Sequence, residues 1–308
     1  MQQIKDEVRR LAKNNRIEEI RFIDAEDLEP KELFYDRQPK VLLPGAKSLI
    51  LSSIYIGGYR LPDNGSRIYA RTSRLTLSGF YFNIVEPLKP IQEYLQSKGY
   101  EAIVYDGFLE DYCVPLKPAA VKAGLGWIGK NTLLLNKKYG SFQALGGIIT
   151  NADLAECYEI EADHCGSCTA CINGCPTKSL EPRKLHRSTC LSHLLEEEEW
   201  PEEISSVPQN YFFECDICQE ACPWNKKHIQ LPLKGSIGSD FTEQEELLEL
   251  FRYDTLLKMD EKTYQDKILP LLTGFQLPYS LFQRNVRLAY QAGCGSSDSS
   301  AIGIHSSI

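Results

Sequence analysis

Apolar positions in the first half of the chain switch repeatedly between a helical and a strand period. Ile4, Val8 and Leu11 share one face of a predicted helix over residues 2–14. A short strand follows at 20–23, and the β-branched run SLILSSIYI predicts a buried strand over 49–56. Ile84, Leu88, Ile91 and Leu95 give a helical stripe across 80–98, with kinks expected at Pro87 and Pro90. A strand over 102–105, a helix over 118–123 and a strand over 144–150 complete this half.

Two stretches of this half break the pattern. Residues 67–74 are polar and carry several arginines, and residues 106–111 are acidic. After residue 156 ordinary core sequence gives way to a cysteine-rich stretch, interrupted by the acidic run Glu196–Glu199, which reads as a solvated face. Helical patterns return in EQEELLELF, TYQDKILPLL and LFQRNVRLAY, and a Gly/Ser-rich tail closes the chain. The expected organisation is therefore a mixed α/β unit over 1–155, a cysteine-rich domain over 156–235, a helical segment over 236–292 and a flexible tail over 293–308. The fold class is α/β of the α+β kind.

Composition narrows the picture. A chain of 308 residues is long enough for two packed modules. It has no run of eighteen apolar residues, so no membrane span is expected. The charged N-terminal stretch lacks the apolar region of a secretory signal, which makes the cytoplasm the expected location. A formal net charge of −8 gives no global support for phosphate binding.

Eleven cysteines in a cytoplasmic chain call for metal binding or catalysis, because reducing conditions disfavour disulfides. Cys113, Cys157 and Cys294 stand apart, and the other eight fall between Cys165 and Cys222. Cys165, Cys168, Cys171 and Cys175, followed by Pro176, form the C-x2-C-x2-C-x3-C-P run of bacterial ferredoxins. In two-cluster proteins the fourth cysteine of such a run serves the other cluster. The second motif, Cys215, Cys218, Cys222 and Pro223, lacks one ligand, and Cys190 remains to supply it. The expected sets are Cys165, Cys168, Cys171 and Cys222 for one [4Fe–4S] cluster, and Cys175, Cys190, Cys215 and Cys218 for the other. Zinc is the alternative for paired C-x2-C motifs, but eight thiolates at these spacings suit two cubanes in a ferredoxin-like domain. His164 and Trp224 are expected to pack near the clusters without ligating them.

Such clusters move electrons singly and do no bond chemistry alone, so the preceding 155 residues should hold the site they serve. The stretch AGLGWIGKNTLLL stands out there. Gly124, Gly126 and Gly129 permit close backbone approach, while Lys130 and Asn131 offer donors. Two readings stay open: a helix C-cap with a tight turn, or a cofactor contact. The stretch matches neither a P-loop nor G-x-G-x-x-G.

AGLGWIGKNTLLL, CGSCTACINGCPTKSL, the lone cysteine in RSTCLSHL, CDICQEACPWNK and the helix FQRNVRLAY occur in that order. In this combination the chain resembles the epoxyqueuosine reductase family from its first helix to about residue 290, and its first domain resembles that of reductive dehalogenases. The resemblance implies cobalamin beside two [4Fe–4S] clusters, removal of the epoxide oxygen of epoxyqueuosine in tRNA, and a low-potential electron donor such as ferredoxin or flavodoxin. It places Gly124, Gly126, Trp127, Gly129, Lys130 and Asn131 against the corrin. Counting back from Trp127, it also puts the proton-donating acid at Glu110, with Asp111 and Asp106 nearby.

Three departures bear on that reading. The acidic motif's Glu-Arg pair falls on Leu116 and Lys117, and the family's Tyr-His falls near 80–83, where GFYFN has no histidine. Longer members continue into tRNA-binding helical repeats, whereas this chain stops soon after Arg284 and Asn285. A paralogue acting on another substrate or on a corrinoid protein, and a non-catalytic electron carrier, are the alternatives.

Overall fold

A computed structural model describes residues 1–26, 28, 39–59, 61, 68–105, 114–201, 210–229, 248–272 and 276–294. The predicted strands assemble into one sheet from β1 (Glu19–Asp24), β2 (Ser48–Tyr55), β3 (Ala102–Tyr105) and β4 (Gln143–Thr150), in the order β1-β2-β4-β3. Each neighbouring pair is antiparallel, and β2 lies against β4 from Ser48 opposite Thr150 to Tyr55 opposite Gln143.

The central strand β2 is buried from Ser48 to Ile54 because both of its faces are covered. Ile50 and Ile54 join Phe22 and Ile148 in a core with α1 (Gln2–Asn14) and α2 (Lys89–Ser97). Leu49 and Leu51 point the other way, into a core with Ile23, Ile149 and α3 (Leu116–Lys122). Each such side chain contributes roughly 1.5–3 kcal/mol by leaving water.

The helix expected over 80–98 is broken into a turn at Phe80–Asn83, a 3-10 turn at Glu86–Leu88 and then α2. Pro87 and Pro90 each sit in the first turn of a new piece, where a missing N–H costs nothing. The apolar stripe survives the break: Ile84, Leu88, Ile91 and Leu95 are all at most 1% exposed.

A third core lies beyond the cysteine block. The short strand Tyr211–Phe213 pairs in parallel with Arg71–Thr72, and α4 (Tyr279–Cys294) packs against it. Phe212, Phe213, Phe251, Tyr264, Phe282 and Val286 fill that core. The helix expected over 263–272 changes winding within a few residues, from Glu261–Thr263 to a π turn at Tyr264–Ile268 and a 3-10 turn at Leu269–Leu271, the last holding Pro270. Most of EQEELLELF and the tail from 295 lie outside the described residues.

Between the two folded ends, the cysteine-rich stretch has only short turns and two-residue strands. Its apolar clusters are small: Leu191, Leu195 and Tyr211 in one, Trp127, Leu135 and Cys222 in another. So little buried apolar surface cannot order this much chain, and something other than a core must hold it.

Candidate metal centres

The eight clustered cysteines gather into two groups of four. Cys165, Cys168, Cys171 and Cys222 line one cavity of about 240 Å³. Cys175, Cys190, Cys215 and Cys218 line a second of about 210 Å³. Tight local turns deliver the thiols. Cys168 N–H donates to Cys165 O at 3.0 Å across Gly166, whose φ is +49°, and Cys171 lies in the helical turn Ala170–Gly174. Cys190 precedes the turn Leu191–Leu194, and Cys218 lies in the turn Ile217–Glu220.

Backbone amides already point at sulfur in the second cavity. Ser179 N–H donates to Cys175 Sγ, and Ile217 N–H donates to Cys215 Sγ, each at 3.4 Å. Burial pushes the thiols of Cys171, Cys190, Cys215, Cys218 and Cys222 above their ordinary range. Thiols this reluctant to ionise are made thiolates by a metal rather than by solvent. Among the described residues no three His, Cys, Asp or Glu side chains close on a single-ion site. A larger inorganic group spanning each cavity fits the donors.

Aromatic side chains cover the first cavity. His164 and Trp224 line it, and both meet buried Trp127 in edge-to-face contacts, with ring centroids 4.9 and 5.2 Å away. Trp127 and Trp224 pack with Cys165 and Cys222, and His164 Nε2 is engaged with Glu161 at 2.6 Å.

The glycine segment has a different occupation from a cofactor cradle. α3 ends in a Schellman cap: Leu125 N–H donates to Ala120 O, Gly124 N–H donates to Val121 O, and Gly124 takes φ +66°. A Cβ on Gly124 would lie 2.8 Å from Glu159 O, and one on Gly126 would lie 1.9 Å from Leu135 O. A Cβ on Gly129 would meet Leu135 and Asn131. The space beside these glycines is filled by the chain itself, which is the first of the two readings the sequence left open. Lys130 Nζ donates to Gly166 O and Cys168 O at 2.7 and 2.8 Å, tying the first cysteine loop to the N-terminal unit. Asn131 lines both cavities, and Trp127 supports the first. Glu110, Asp111 and Asp106 lie outside the described residues.

Two anchors carry no spacing signal in the sequence. Arg74, 3% exposed, donates to Asp216 and Glu220 at 2.8 and 3.0 Å and sits 4.2 Å above the Phe142 ring. Burial works against the Arg74 charge, but Asp216 and Glu220 outweigh it and raise the guanidinium's pKa. Arg71 pairs with Glu220 at 2.6 Å. These arginines come from the polar stretch 67–74, and they clamp the loop between Cys215 and Cys222. The second anchor is fully buried Asn225, whose Oδ1 accepts Ser141 N–H while its Nδ2 donates to Ser141 Oγ and Gln219 O, all at 2.8 Å.

Comparison with known proteins places these features in context. A family described as "4Fe-4S double cluster binding domain" matches residues 164–225. An epoxyqueuosine reductase of Lactococcus garvieae is 33% identical over 254 residues, covering 73% of this chain and 71% of that protein. One from Leadbetterella byssophila is 35% identical over 61% of each chain, so the matched region spans about three fifths of that relative's length. An epoxyqueuosine reductase solved with an epoxyqueuosine-modified tRNA stem loop shares the fold, with a TM-score of 0.74 and 24% identity over 93% of this chain and 80% of that one. A catabolic reductive dehalogenase shares it more distantly, with a TM-score of 0.51 and 15% identity over 92% of this chain and 37% of that one. Among the described residues no helix is long and apolar enough to cross a membrane.

Proposed function

The chain belongs to the epoxyqueuosine reductase family, and from that premise we propose that it reduces the epoxide of epoxyqueuosine in tRNA with electrons passed through two [4Fe–4S] clusters. The observation that carries this reading is the sorting of eight cysteines into two cavities of four. Cys165, Cys168, Cys171 and Cys222 hold one cluster, and Cys175, Cys190, Cys215 and Cys218 hold the other. When bound, such clusters supply electrons one at a time from a low-potential donor such as ferredoxin or flavodoxin. The protein's own residues do the rest. Lys130 holds the first cysteine loop through two carbonyls, Arg74 and Asn225 hold the second, and Trp127, His164 and Trp224 pack together beside the first site.

Loss of an epoxide oxygen as water consumes two electrons and two protons. The acidic segment with Asp106, Glu110 and Asp111 is assigned the proton delivery, which as general acid catalysis contributes about 100- to 10,000-fold. Cobalamin is the further cofactor that family membership calls for. Gly124, Gly126 and Gly129 do not fit a corrin cradle, since their free sides meet the chain's own atoms, and Lys130 is engaged with the cysteine loop.

Anaerobic reconstitution followed by turnover of an epoxyqueuosine-modified stem loop, with and without cobalamin, tests this reading. Formation of queuosine is the expected result. Full cluster loading without turnover would overturn the substrate and favour a paralogue with another one. The absence of histidine in GFYFN supports that second reading.

A further inference from the structure

Asn131 is the one residue, among those described, that lines both cysteine cavities. It is 4% exposed, and its two amide atoms are not equally engaged. Oδ1 accepts the Leu133 N–H at 3.4 Å, which orients the group, while buried Nδ2 has no hydrogen-bond partner. A buried amide nitrogen without an acceptor is costly, and native chains retain one where an acceptor arrives with a ligand. The protein atoms in the two cavity walls offer it none. The remaining acceptors are the sulfurs of what the cavities hold.

We propose that Asn131 donates its side-chain N–H to cluster sulfur from the wall that the two cavities share, and so sets how readily the clusters accept an electron. Cluster sulfurs carry negative charge, and each added electron increases it. A donor aimed at them therefore stabilises the reduced state and raises the potential. The shared wall also lets one residue bias the handover between the two sites. This assignment rests on the two-cluster reading above and replaces a corrin contact for Asn131.

The test is a redox titration, followed by electron paramagnetic resonance, of the full chain reconstituted anaerobically. Asn131→Leu removes the donor at similar volume, and Asn131→Asp keeps the shape but adds charge. The wild type should hold about eight irons per chain; a lower count would speak against the two-cluster reading and not against Asn131. At equal iron content, Asn131→Leu should disfavour reduction of at least one cluster by about tenfold, or about 59 mV for a one-electron couple. Asn131→Asp should disfavour it further. Unchanged potentials at full iron content in both variants would overturn the proposal. Where neither variant loads, wild-type protein carrying 15N only in asparagine side-chain amides decides the matter. Among the described asparagines only Asn131 lines either cavity. A nitrogen coupling on the reduced clusters is expected, and its absence would overturn the assignment.

Discussion

Asn225 occupies the space that a side chain at Gly140 would need: a Cβ there, where φ is +60°, would lie 1.8 Å from Asn225 Oδ1. The bare backbone of residue 140 lets the loop after Cys222 reach the start of β4 and close two hydrogen bonds with Ser141, beside a third from Asn225 to Gln219 O. Asn225→Ala should cost about 1–3 kcal/mol, because the buried Ser141 N–H loses its acceptor. Gly140→Ala should cost about 1 kcal/mol or more from strained backbone alone. Denaturant unfolding of the loaded protein checks both.

Cysteine substitutions separate the two sites. Cys190→Ala should disrupt the cluster that it shares with Cys175, Cys215 and Cys218 and leave about four irons per chain. Cys222→Ala should leave a similar count but change the other cluster's spectrum. Iron analysis with Mössbauer spectra reads the difference. Retention of both clusters in Cys190→Ala would remove Cys190 from the ligand set.

Arg74 and Asp216 form a pair that water barely reaches, with side chains 3% and 1% exposed. Arg74→Ala leaves Asp216 buried without its partner and should destabilise the chain by about 3–5 kcal/mol. The double variant Arg74→Met with Asp216→Asn should lose less than Arg74→Ala alone. Thermal unfolding of the three proteins, loaded to equal iron content, makes the comparison.

Glu196 gives a pH dependence in the neutral range. Burial, with Glu214 adding to it, pushes its carboxyl up to about 7 from an ordinary 4.5. A raised acid binds its proton more tightly in the folded chain than in the unfolded one. Its unfavourable contribution is absent well below 4.5, grows as pH rises toward about 7 and then levels off. Glu196→Gln should therefore be more stable than wild type at pH 8 and close to it at pH 5. Equal midpoints at pH 8 would rule this out.

Removal of iron should act on one part of the chain. A chelator is expected to make residues near 157–201 susceptible to protease, since that stretch has almost no core of its own. The four-stranded sheet should persist, with Leu49, Ile50 and Ile149 fully buried independently of the cysteines. Limited proteolysis with circular dichroism follows both.

The parts of the molecule with a strong repeat were readable from sequence. All four sheet strands lie within a residue or so of their predicted places, because a strand buried on both faces has to be written in Leu, Ile and Val. The stripe from Ile84 to Leu95 identified a buried face but not the breaks at Pro87 and Pro90, which leave that face intact. Arg71 and Arg74 read only as members of a polar stretch, since nothing local shows that Asp216 and Glu220, far along the chain, will meet them. The glycines near Trp127 were legible as places of close approach, but not as to what approaches. Leu135 and Glu159 do, and only the folded chain shows it.

The two cysteine groups are nested along the chain: Cys175, Cys190, Cys215 and Cys218 all fall between Cys171 and Cys222. During synthesis the inner group is complete once Cys218 leaves the ribosome, whereas the group begun by Cys165 must wait for Cys222. The site opened first is closed last. A cut anywhere between Cys171 and Cys222 therefore divides the outer set of thiols between two pieces, whereas the inner set is divided only by a cut between Cys175 and Cys218.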